Sequence, residues 1–199
     1  MYMEKYEISL KNGRTICLSV AVEGNEYKIA ALDTNYGIVV GLCEFSLYNR
    51  FNIPFSCEKE KVIYAKYRNI SITDVPEQKT IKSPYIDGMS ILVNNKNNIN
   101  YDKAYVFIDK YCELELIQIL KEEYFGVGLG RAMYALLEKI VNKLGVTVIE
   151  GNYIPTGDFG FESKKFYLRN GFKFITYDFG FPLVTKELLN QNKSIQEKL

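Results

Sequence analysis

Glycines stand at every second position in Gly126-Val127-Gly128-Leu129-Gly130, directly before a run with helical periodicity, and this conjunction constrains the chain more than any other feature. From Leu129 the apolar residues recur at Met133, Leu136, Leu137, Ile140, Val141 and Leu144, the spacing of one buried helix face, and Gly145 stands where a left-handed cap would close that helix. Before the glycines, residues 113–120 alternate Leu114 and Leu116 with polar neighbours, as a strand does. After the helix, 146–149 form a short continuous apolar run of the kind buried on both faces of a sheet. The order strand, glycine turn, helix, strand leaves consecutive backbone N–H groups without intrahelical acceptors. A helix start of this kind attracts phosphate, glycines let the ligand approach the backbone, and Arg131 adds a charge-assisted contact. Two familiar phosphate loops do not fit. Arg131 stands where a P-loop needs its Gly-Lys-Ser/Thr ending, and Met133 where a dinucleotide fingerprint needs a third glycine. A tight connection with no ligand would use the same glycines.

The first fifty residues read as an antiparallel meander: apolar–polar alternation over 5–10, 15–22 and 27–32, broken by Asn12-Gly13 and Glu23-Gly24-Asn25, then a further run over 37–45 after Asp33-Thr34-Asn35. From 49 to 100 the pattern weakens around Pro54, Pro76, Pro84 and the asparagine-rich 94–100, which predicts loops with at most short elements. Glu58-Lys59-Glu60-Lys61 reads there as a solvated face. Residues 104–109 and 113–120 read as two strands joined by a tight turn near Lys110-Tyr111. Beyond the irregular 151–160, the pattern predicts a second helix over 161–170 ending at Gly171, a strand over 172–177, and a polar tail from Thr185 that frays as a helix.

At 199 residues, with 47% hydrophobic and 25% charged side chains, the chain suits one packed domain and not a disordered segment. Its net charge of +1 provides no field to gather nucleic acid or a membrane surface. The start of the chain lacks the pattern of a signal peptide and no apolar run is long enough to span a bilayer, so a cytoplasmic location is expected. Cys17, Cys43, Cys57 and Cys112 lack metal-ligand spacing and read as buried thiols. No histidine is present, which excludes histidine-based triads and removes the commonest metal ligand; no metal is expected. A general base must then be a carboxylate, a tyrosine, a cysteine or a water chain.

The segment Glu123-Tyr124-Phe125-Gly126-Val127-Gly128-Leu129-Gly130-Arg131-Ala132 closely resembles the pyrophosphate-binding segment of the GNAT superfamily of acyl-CoA-dependent N-acyltransferases. Phe166-Tyr167-Leu168-Arg169-Asn170-Gly171-Phe172 resembles that family's late helix and the strand start after it, in the expected order. The resemblance implies an α/β (α+β) fold with a mixed, mostly antiparallel central sheet, splayed at its middle strands and flanked by helices. Residues 1–199 then form a single domain: 1–100 give N-terminal strands and substrate-side loops, 104–177 the acyl-CoA-binding core, and 185–199 a polar tail. One position departs from the family pattern: Phe125 stands where an arginine or glutamine is common, which removes one phosphate contact. More narrowly, Gly151-Asn152-Tyr153-Ile154-Pro155-Thr156 followed by Phe166-Tyr167 resembles the acyltransferase-like part of FkbH-type proteins, although Gly157-Asp158 replaces the usual Lys-Asn.

The GNAT resemblance implies a co-substrate, acetyl-CoA or another acyl-CoA, and an acceptor that is the amine of a small molecule or peptide. It implies that backbone groups of Val127, Gly128, Leu129, Gly130 and Arg131 hold the diphosphate. Ile119 and Leu120 supply an N–H near the thioester carbonyl, an oxyanion contact worth roughly 3 kcal/mol in other enzymes. Asn152 falls among the cofactor-binding positions. Tyr167 matches the tyrosine that protonates the leaving thiolate, and Glu115, on one strand face with Glu113, is the candidate base, with Gln118 and Glu150 nearby. Two alternatives stay open, a non-catalytic acyl-CoA sensor and an FkbH-like transferase acting on a carrier-protein thiol. A monomer or a homodimer fits equally.

Overall fold

The computed structural model describes residues 3–84, 106–153, 160–175 and 182–188. The chain divides into two compact units, one from Met1–Leu47 with Lys110–Leu199, the other Tyr48–Asp109.

In the first unit the expected meander is present. Strands β1 (Met3–Ser9), β2 (Thr15–Glu23), β3 (Glu26–Asp33) and β4 (Ile38–Pro54) pair antiparallel in sequence order. Period-two alternation selects the buried face: Ile16, Leu18 and Val20 on β2, Ile29 and Ala31 on β3, Phe45 and Leu47 on β4; Val40 is buried at a bulge, where the β3–β4 register shifts. Then come β6 (Val106–Ile119), α2 (Leu129–Lys143), β7 (Val148–Asn152), α3 (Gly160–Arg169), β8 (Lys173–Ile175) and β9 (Leu183–Glu187), in strand order β1-β2-β3-β4-β6-β7-β9-β8. Strands β6 and β7 pair parallel, whereas β1–β2, β2–β3, β3–β4, β7–β9 and β8–β9 pair antiparallel.

Helix α2 buries Leu129, Met133, Leu136, Leu137 and Val141 of the predicted stripe and adds Tyr134, while Ile140 and Leu144 are half-buried. Each fully buried aliphatic side chain contributes about 1.5–3 kcal/mol of transfer free energy. Close seating on β4 depends on Gly41, where an added Cβ would meet Met133 Cε at 3.0 Å. Gly145 ends the helix as expected, and Val146 N–H donates to Val141 O across it.

The second unit holds the far part of β4, helix α1 (Glu58–Arg68), the short turn Ile72–Asp74, strand β5 (Gln78–Pro84) paired antiparallel with β4, and the start of β6. Arg50 grips Asp109 with two charge-assisted hydrogen bonds of 2.7 and 2.6 Å.

Four sequence expectations are corrected. The hairpin with a turn at Lys110-Tyr111 is one unbroken strand, because Tyr111 registers with Val148 and Lys110 O accepts from Thr147 N–H, so β7 satisfies groups that a turn would have freed. Residues 104 and 105 lie outside the described residues. The loop region from 49 contains an eleven-residue helix and a strand. Its helical period was hidden because Val62, Ile63 and Tyr67 are exposed and Ala65 is the one buried residue of α1. The acidic start (Glu58, Glu60) and basic end (Lys66, Arg68) suit the helix dipole instead, so the presumed solvated face opens a helix. Thr185 and Lys186 belong to β9, not to a helix. Finally, Cys43 and Cys112 are buried thiols and Cys17 is half-buried, but Cys57 is exposed ahead of α1. Residues 94–100 and 189–199 lie outside the described residues.

Candidate active site

The site is built where β6 and β7 cease to pair. Their ladder consists of Tyr111↔Val148, Cys112↔Ile149 and Glu113↔Glu150, whereas β6 runs on to Ile119. Gly151 marks the parting: it lies so near β6 that an added Cβ would sit 2.7 Å from Leu114 O. Past it, Asn152 registers with Leu183 of β9 and Tyr153 N–H donates to Pro182 O, so β7 has turned to its other neighbour. Among the described residues, β6 beyond Glu113 has no ladder partner on its β7 edge.

Leu120 N–H donates to Val40 O at 2.9 Å, on the β4 side. Successive strand N–H groups point to opposite edges, so Ile119 N–H is directed to the β7 side, where the ladder has stopped. Of the two expected oxyanion donors, Leu120 is therefore already engaged and Ile119 is the one aimed into the split.

At the mouth of the split, Glu122–Tyr124 form a short 3-10 turn and Gly126 and Gly128 take φ of 71° and 100°. A side chain would strain these left-handed conformations, which explains glycine at these two positions. Gly128 O accepts the first helical bond, from Ala132 N–H, and no side chain caps α2. The N–H groups of Leu129, Gly130 and Arg131 accordingly lack intrahelical acceptors. Leu129 is fully buried, Val127, Gly128 and Gly130 are half-buried, and Arg131 is exposed. Gly130 lies against Phe166 of α3 and Ile119 of β6, at 3.5 and 3.8 Å from its virtual Cβ. The glycine turn, the end of β6 and the late helix thus meet at one place. Phe125 is 38% exposed beside them.

Tyr167 projects from α3 into an aromatic cluster, with ring centroids 6.0 Å from Tyr153, 5.3 Å from Phe172 and 6.4 Å from Phe174. Burial, with smaller effects of Cys43 and Tyr153, pushes its phenol up to about 12. It therefore stays protonated through the neutral range and acts as a hydrogen-bond donor. Asn152 is exposed and adjoins Tyr153, whose hydroxyl is 3.2 Å from Ser163 Oγ. Glu115 is exposed and accepts a hydrogen bond from the buried Ser46 hydroxyl of β4. Gln118 is exposed, and Glu113 and Glu150 are half-buried register partners. Residues 154–156 of the FkbH-like segment lie outside the described residues.

Sequence reasoning missed Asp33 and Tyr124. Asp33 and Tyr124 are fully buried; Tyr124 O–H donates to Asp33 Oδ2 at 2.5 Å, and Asn35 and Tyr36 N–H donate to Oδ1. The hydrogen bond from Tyr124, with the turn amides, holds the Asp33 carboxyl below its ordinary range. The local half of this arrangement, an aspartate bonding two residues on, was legible in Asp33-Thr34-Asn35. Among the described residues no cluster of metal-ligating side chains occurs, and no helix is long and apolar enough to cross a membrane.

No protein-family model matches the chain, and no curated protein matches it. Solved structures do. The GNAT domain of S. lividans PAT superposes with a TM-score of 0.52 at 8% identity, over 92% of this chain and 97% of that one. The chain has the GNAT fold. Other GNAT-fold neighbours include a GNAT-family acetyltransferase from Listeria monocytogenes (TM-score 0.39, 17% identity, 81% of this chain and 64% of that one). A mosquito arylalkylamine N-acetyltransferase like 5b gives a TM-score of 0.43 at 14% identity, covering 81% and 74%.

Proposed function

We propose that this protein transfers an acetyl or other short acyl group from coenzyme A to the amine of a small molecule or peptide. The observation that carries this reading is the coincidence of a strand edge that has no ladder partner among the described residues after Glu113↔Glu150 with a helix start at Leu129 that no side chain caps. An extended amide-bearing chain lies along such an edge, and a diphosphate is held by such a helix start. Backbone groups of Val127, Gly128, Leu129, Gly130 and Arg131 hold the diphosphate, with Arg131 adding its charge. Asn152, at the end of β7, borders the pantetheine arm.

In the step itself a neutral amine nitrogen attacks the thioester carbonyl. The carbonyl oxygen gains charge and is met by Ile119 N–H; the tetrahedral adduct collapses, the C–S bond breaks, and the thiolate leaves. Tyr167 donates a hydrogen bond to that thiolate. Its raised pKa makes complete proton donation to a thiolate uphill, so it stabilises the developing charge through that hydrogen bond, and the thiolate takes its proton from solvent. The ammonium proton departs to Glu115 directly or through water.

The test is calorimetry with acetyl-CoA, followed by coenzyme A release over a panel of amines. Saturable binding with turnover on at least one amine supports the proposal, and no heat at millimolar acetyl-CoA removes it. A second reading, an acyl-CoA sensor, is favoured by the exposed phenyl of Phe125 where the resemblance expects a phosphate-binding polar group. Binding without turnover on any acceptor selects it.

A further inference from the structure

The turn between β1 and β2 meets the glycine loop through a backbone hydrogen bond: Lys11 N–H donates to Val127 O at 3.2 Å. In a trans peptide the C=O and the following N–H point in opposite directions. Tying Val127 O to the turn therefore directs Gly128 N–H away from it. Close by, the residue two positions ahead of Gly126 is anchored separately, through the Tyr124 hydroxyl on Asp33. Arg14, from the same turn as Lys11, covers this anchor with its guanidinium 4.7 Å from the Tyr124 ring centre, 5.6 Å from that of Tyr36 and 3.9 Å from Asp33 Oδ2. Gly126 and Gly128, both at positive φ, lie between and beside these two tethers. Left unrestrained, such glycines would spend entropy on every binding event.

We propose that Lys11, Arg14, Asp33 and Tyr124 are positioning residues that pre-set the glycine loop, with Lys11 N–H orienting the Val127–Gly128 peptide so that its N–H is presented to a bound diphosphate. This rests on the coenzyme A reading above. None of the four touches the reacting atoms, and their effect is on donor affinity.

Lys11→Pro is the cleanest perturbation. Leu10 O accepts from Gly13 N–H, which places Lys11 at the second position of a β-turn, where proline is favoured. Proline there keeps the turn and deletes the one N–H that reaches Val127. Tyr124→Phe is the companion, removing only the hydroxyl.

Both proteins are compared with wild type by calorimetric titration with coenzyme A and by amide hydrogen exchange. Each variant is expected to bind coenzyme A about tenfold more weakly, the equivalent of one lost hydrogen bond, with faster exchange confined to residues 126–131. Coenzyme A affinity within about twofold of wild type, a change smaller than one such bond produces, overturns the proposal. So does weakening that accompanies faster exchange throughout α2 and the sheet, since that is general destabilisation. If wild type itself does not bind coenzyme A, the acyl-transfer reading falls, and unchanged exchange over 126–131 in both variants separately removes the brace.

Discussion

Replacing Gly151 by alanine tests whether the parting of β6 and β7 is set by backbone contact. Gly151 is buried, its φ is not in the left-handed region, and the obstacle to a side chain is Leu114 O, 2.7 Å from where the Cβ would stand. Ordinary contact begins at 3.4 Å, so the two backbones must separate by about 0.7 Å, and a strand in mid-sheet cannot yield as a flexible side chain does. Overpacking of this kind costs about 2 kcal/mol. Alanine returns about 0.5–1 kcal/mol by restricting the unfolded chain, leaving a net loss of about 1–1.5 kcal/mol. For a chain of this size that lowers the melting temperature by about 2–6 °C. Gly130→Ala is the internal control: its Cβ would meet Phe166 at 3.5 Å, an ordinary contact, so its melting temperature is expected to stay level or rise. The assay is a thermal melt of the three proteins in parallel, with a urea titration to confirm the order. If Gly151→Ala melts with or above wild type, the close approach of the strands does not set the split, and the reasoning fails.

Further outcomes follow from single side chains. Tyr167→Phe is expected to lower kcat by about 10- to 100-fold, the worth of one hydrogen bond to a developing charge, while the calorimetric affinity for acetyl-CoA is unchanged. Because burial holds its phenol up at about 12, the wild-type rate profile is expected to show no alkaline loss from this group below about pH 10, the value of an ordinary tyrosine. Glu60 is pulled down to about 2 chiefly by its hydrogen bond from Lys79, then by those from Ser56. A depressed carboxylate stabilises the folded state above its unfolded value and loses that contribution as pH falls through the folded one. Glu60→Gln should therefore melt below wild type at pH 7, with the difference closing between about pH 4.3 and about pH 2. The Tyr134 hydroxyl is buried without a hydrogen-bond partner among the described residues, although its ring packs on Phe166 and Phe172. Tyr134→Phe removes the orphan and keeps the ring, so stability is expected to hold or rise by about 1 kcal/mol in urea titration.

What the sequence by itself determined is local. Alternation in 15–22 and 27–32 places Ile16, Leu18, Val20 and Ile29 on one face whatever lies opposite. The three-and-four spacing from Leu129 defines the buried stripe of α2, and Gly145 and Gly171 close their helices because caps depend on a few neighbouring bonds. The glycine turn before α2 was likewise legible, since it belongs to a contiguous motif. Tertiary structure decided the rest. Lys110-Tyr111 has the polarity of a turn, yet β7 pairs there and holds β6 straight. Helix α1 has no apolar stripe to announce it. Which of Ile119 and Leu120 has its N–H aimed into the split follows from the bond between Leu120 and Val40, a register between distant strands. Tyr124 and Asp33 are 91 residues apart, and only packing brings a hydroxyl to a carboxylate across that separation. Periodicity records which face of an element is buried; it carries no information on what is buried against it, and the geometry of this site is made of such meetings.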